Sequence, residues 1–159
     1  MKTKIIYPLS LLLLLCLTQV SCSSDNNDSI DSPKESVIYH LIDKDCKETT
    51  VFNHGDLMSF ELIITNTTDH TLHFEDESDL INHAFLVYNS EGQSFNPIVS
   101  RELIYRKFPV TIAPGEQFRR GLTWPWHLVP LPTGKYYSPY TIDIEGISNR
   151  TYTVDFEIR

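Results

Sequence analysis

The residues best equipped for chemistry in this sequence do not fall into a catalytic pattern. His70 and His73 are three apart, which on a strand sends them to opposite faces, where they could not share a metal. His40, His54, His83 and His127 have no second ligand at a spacing used by zinc sites. Glu75, Asp76, Glu77 and Asp79 could offer carboxylate oxygens to calcium. The run lacks the glycine and the distant bidentate glutamate of an EF-hand loop, and reads as a solvated acidic loop. There is no nucleophile elbow, phosphate loop or dinucleotide fingerprint. The expectation is a protein that is not an enzyme and holds no metal and no cofactor.

One cluster suggests binding instead. The stretch TWPWHLVPLPTGKYY, residues 123–137, gathers Trp124, Trp126, Tyr136 and Tyr137 around a proline-rich loop. Exposed aromatics at a loop end serve as anchors for a protein partner or as flat platforms for sugar rings. Trp124 and Tyr136 have an alternative role as core residues closing the domain. Trp126 and Tyr137, after a proline or on the opposite parity, are the better surface candidates.

The N-terminus carries a different chemistry. Lys2 and Lys4 precede an apolar run over residues 5–17, broken only by Pro8 and Ser10. That run is shorter than the roughly 20 residues a spanning helix needs, so residues 1–21 read as a cleaved export signal. Ser21 is the small residue before the cut and Cys22 follows it. This end resembles a bacterial lipoprotein signal, in which the cysteine after the cut is diacylated on sulfur. Here Gln19 stands three residues before the cysteine, where that signal has leucine, and Leu17 stands five before. An ordinary secretory signal with an incidental cysteine is the alternative. The resemblance implies lipidation at Cys22, attachment to a membrane through the anchor, and an outer-membrane, surface-facing lipoprotein. Residues 22–36, polar and low in hydrophobicity, suit a flexible tether.

Beyond the tether, residues 37–159 show period-two alternation punctuated by turn residues. Tyr152, Val154, Phe156 and Ile158 alternate with polar neighbours, and Phe60, Leu62 and Ile64 share one face of another strand. Further strands are expected at residues 70–74, 84–89, 93–99, 108–112, 116–124 and 136–144, with one helical turn near residues 79–83. Such spacing predicts an all-β fold, an immunoglobulin-like antiparallel β-sandwich of roughly seven to nine strands.

Four segments in order carry a family likeness: SFELIITNTTDHTLHF, VYNSEGQSF, VTIAPGEQFRRGLTW and LPTGKYYSPYTIDI. In these, Asn66 ends a strand, Pro114, Gly115 and Glu116 make a turn, and Gly134 leads into Tyr136. The domain thereby resembles the intracellular proteinase inhibitor (BsuPI-like) family over about residues 55–145. The resemblance implies the sandwich fold and a non-catalytic, inhibitor-like role. This chain departs from it in being exported and in showing no reactive-site loop.

Removing the signal takes two lysines and no acid from a chain of net charge −8, leaving −10. Such a balance argues against nucleic acid as a partner. Cys46 would be the mature domain's one cysteine apart from Cys22, so no intramolecular disulfide is expected. The expected partner is an unknown protein or glycan. A carbohydrate-binding accessory domain of a surface uptake system and a structural envelope lipoprotein are the alternatives.

Overall fold

The computed structural model describes residues 35–81, 84–97 and 108–159. The expected export signal, Cys22, nearly all of the expected tether and His83 lie outside the described residues. Ten strands and one short helix follow in the order β1 (Val37–Ile42), β2 (Val51–Phe52), β3 (Ser59–Thr65), β4 (Leu72–Phe74), α1 (Ser78–Ile81), β5 (Val87–Asn89), β6 (Ser94–Phe95), β7 (Val110–Ile112), β8 (Gln117–Thr123), β9 (Gly134–Ile144) and β10 (Ser148–Ile158). β2 and β6 are two residues each. One sheet has the order β1-β3-β8, a second β2-β10-β9-β5-β6, and β4 and β7 form a small ribbon. The fold is the all-β sandwich that the alternation predicts, with no closed barrel among the described residues. All pairings are antiparallel except β10 with β2.

The two larger sheets meet through aromatic rings. Tyr39 of β1 packs on Tyr140 of β9 with centroids 5.4 Å apart, and Phe60 of β3 meets Phe156 of β10 edge-on at 6.1 Å. These rings occupy the inward parity of their strands, so burial follows from alternation once each strand has its register. Arg120 shares that parity on β8 but stays exposed. β8 is an edge strand, and the guanidinium leaves the sandwich sideways to meet Glu77 at 3.4 Å. The acidic run is put to use near there: the Asp76 carboxylate accepts the Ser78 N–H at 3.0 Å, capping α1.

Residues 84–89 are not one strand, as alternation suggested. β5 begins only at Val87, and Phe85 sits in the left-handed region with φ 69°. That conformation costs on the order of 1–2 kcal/mol for a residue with a side chain. A buried polar chain holds it in place. Phe85 N–H donates to Tyr39 Oη at 3.1 Å, and Ser138 Oγ–H donates to Leu86 O at 2.7 Å. The serine has a single proton, so the 2.7 Å contact between the two hydroxyls must be Tyr39 donating to Ser138.

Burial pushes the Tyr39 phenol up to about 12, against the opposing pull of the N–H that Phe85 donates to it, and burial raises Tyr140 as well. A phenol raised in the folded state stabilises the fold below its unfolded value of 10.0 and loses that contribution as pH climbs toward 12. Tyr39 alone then accounts for on the order of 2–3 kcal/mol of alkaline destabilisation. Tyrosinate absorbance followed alongside near-ultraviolet circular dichroism checks this. The last tyrosines are expected to ionise together with loss of the dichroism. Complete ionisation of a still-native protein would contradict it.

Cys46 corrects an expectation: it is disulfide-bonded in this structure. The full chain holds two further cysteines, Cys16 and Cys22, and both lie outside the described residues. Cys46 sits at φ 58° in a turn where Asp43 Oδ1 accepts the N–H groups of Asp45 and Lys47.

Candidate functional site

Strand direction sorts the loops into two ends. Ser36, where the chain enters β1, donates its hydroxyl to Ile147 O at 3.0 Å. The β9–β10 hairpin therefore lies at the end where β1 begins. Gly115 N–H donates to Asn66 O at 2.8 Å, adding the loop after β3 and the turn before β8 to that end. β1 runs away from it, and β3 returns with Ser59 opposite Ile42. The loop before β3, the segment after β8 and the C-terminus consequently share the far end, where His54 N–H donates to Arg159 O at 3.1 Å.

The far end is built by two segments. In the first, Asp56 Oδ2 accepts from Asn53 N–H at 2.7 Å and Asn53 Nδ2 at 3.0 Å, with Gly55 at φ 89° making the turn. In the second, Trp124 N–H donates to Met58 O at 2.8 Å, carrying the β3–β8 ladder past Thr123. The chain then folds on itself: Leu128 and Val129 both donate to Pro125 O at 2.9 Å, and Trp124 Nε1 donates to Val129 O at 2.8 Å. Trp126 Nε1 donates to Asp56 O at 2.7 Å, tying the second segment to the first, and its ring packs on His54 at 5.2 Å.

This arrangement divides the aromatic cluster. Trp124 and Tyr136 are core residues, 2% and 5% exposed, and drop out of the expected ligand surface. Tyr136 stacks on Phe156 at 5.5 Å and gives its hydroxyl proton to Pro132 O. Trp126 stays half-buried at the far end. Tyr137 stands on the outer face of the five-stranded sheet, its ring stacked on Tyr88 at 5.4 Å. That stack turns one face of each ring toward the other and joins Tyr137 to a different surface from Trp126.

Two apolar residues missing from the sequence expectation complete the far end. Leu57 is 49% exposed and Leu128 55% exposed, large values for leucine. Leu57 precedes Met58, which is fully buried, so it takes the polar parity of β3; that phase was the signal available in the sequence. Trp126, Leu57 and Leu128 thus lie on the two segments that the hydrogen bond from Trp126 to Asp56 ties together at this end. No cluster of three or more His, Cys, Asp or Glu side chains suited to a metal occurs among the described residues. No known protein family matches this chain, and no characterised protein matches it either.

Proposed function

We propose that the chain is an exported, non-catalytic lipoprotein, acylated on Cys22, whose sandwich holds out a protein-binding knob at the end away from the membrane. The observation that carries this is the opposition of the two ends. The tether joins beside Ile147, whereas Trp126, exposed Leu57 and exposed Leu128 gather at the far end. An exposed apolar group fixed by internal hydrogen bonds loses little freedom on binding, which suits a partner anchor. The likeness to the BsuPI-like inhibitors supports a protein, such as a protease, as the ligand.

The mode of any inhibition would not be substrate-like insertion of the 125–129 turn. Pro125 O and Val129 O are occupied within the chain, so the turn presents no extended backbone to a protease cleft. Photo-cross-linkers in intact cells test the reading. A cross-linker at Leu128 is expected to capture a partner and one at Glu145, at the tethered end, to capture none; equal capture at both sinks it. Trp126→Ala is expected to lower that capture about tenfold or more. A panel of proteases separates the inhibitor version, since no slowed cleavage at stoichiometric protein removes it.

Carbohydrate binding is the second reading, favoured by the half-exposed indole of Trp126. Glycan-array binding lost on Trp126→Ala would select it.

A further inference from the structure

β10 is flanked on both sides only at its last residues. β9 covers one edge of this strand along all 11 residues, while β2 meets the other at Glu157 and Ile158. Two observations fix which backbone groups face that second edge. Glu157 N–H donates to Thr50 O and Arg159 N–H to Phe52 O, so odd-numbered residues of β10 point away from β9. Pro139, which has no N–H, stands opposite Thr153, as it must where no ladder bond is made.

Asn149, Thr151, Thr153 and Asp155 therefore aim their N–H and C=O groups outward, and among the described residues no backbone partner meets them. β1 of the facing sheet runs alongside without hydrogen-bonding to this edge. The usual guards against strand addition are few. The stretch has no proline, lysine or bulge, and Arg150 lies folded over the Tyr152 ring, 4.4 Å from its centroid.

We propose that this edge pairs antiparallel with β10 of a second copy of the chain, continuing the five-stranded sheet through a two-fold axis. Self-complementarity favours a copy over a foreign strand. With Tyr152 on the axis, Thr151 falls opposite Thr153 of the copy and Asn149 opposite Asp155, each pair exchanging two backbone hydrogen bonds. The threonine pairing extends a row already present, since Thr141 Oγ1 and Thr151 Oγ1 lie 2.8 Å apart across β9 and β10.

Sedimentation of the full-length chain in detergent, with hydrogen exchange at low and high protein concentration, tests this. Wild type is expected to form a dimer in the micromolar range, with the amides of Asn149, Thr151, Thr153 and Asp155 slowed roughly tenfold or more on dimerisation. Thr153→Pro removes an N–H that has no internal partner, and is expected to give a monomer with native circular dichroism. A wild-type chain that stays monomeric overturns the proposal, even where another protein's strand protects those amides. A dimer in which the four amides exchange as fast as in the monomer overturns it equally.

Discussion

Replacing Asn66 by leucine is expected to cost about 3–5 kcal/mol, a large part of the roughly 5–15 kcal/mol that holds a domain together. Asn66 is fully buried, and its side chain uses all its hydrogen-bonding capacity. Nδ2 donates to His70 O and Ile112 O, each at 2.8 Å, while Oδ1 accepts from Thr68 N–H at 3.0 Å and Thr68 Oγ1 at 2.7 Å. Its backbone adds two bonds, donating to Glu116 O and accepting from Gly115 N–H. The side chain thus ties the loop after β3 to the end of β7, while the backbone holds the turn before β8. Leucine has nearly the same shape and no polar atom, so it would strand Ile112 O in a buried setting and take the Asn66 partner from His70 O and Thr68, which are only partly buried. Asn66→Asp is expected to do at least as much harm, because a carboxylate would face two carbonyl oxygens. Urea unfolding monitored by circular dichroism measures both variants. A leucine variant within about 1 kcal/mol of wild type would show that water or a neighbour satisfies the orphaned groups.

Cys22→Ser is expected to abolish acylation altogether and to move the protein from the membrane fraction to the soluble one. On the lipoprotein reading the acyl chains are the grip on the bilayer, since the net charge repels anionic lipid. Metabolic labelling with palmitate, followed by fractionation, gives the readout. Label that never enters wild type, or still enters the serine variant, defeats the reading. Sulfur chemistry sharpens the result further. A thioether sulfur cannot also form a disulfide, so acylation at Cys22 and a disulfide through Cys22 exclude each other. Cys46 is disulfide-bonded in this structure, and a non-reducing mass showing Cys22 as its partner with no acyl group would rule against the anchor.

Strands whose two faces see different surroundings were readable from the sequence alone. β10 buries Val154, Phe156 and Ile158 and exposes Thr151, Thr153 and Asp155, as alternation requires. β3 was readable on one face only: Ile63 and Thr65, on the parity expected to be polar, are buried as well, because β3 is the central strand of its sheet. The left-handed turn at Phe85 was not readable, since it depends on Tyr39 and Ser138, each more than forty residues away. β2 was missed for a similar reason: two residues form a strand there because the end of β10 lies beside them. The aromatic cluster shows how sequence proximity misleads about a site. Tyr136 and Tyr137 are adjacent in the chain, yet the pleat sends one inward and the other onto the outer face. Leu57 and Asp56 join Trp126 from about seventy residues away, through a hydrogen bond that no local pattern announces.

The hydrogen bond from His54 to Arg159 O has a practical side. It pins Arg159 beside the ring on which Trp126 rests. An affinity tag or fluorescent fusion added after Arg159 would therefore emerge beside Trp126 and, on the proposed reading, compete with the partner. A screen built on such a fusion would be blind on the very side it was meant to inspect.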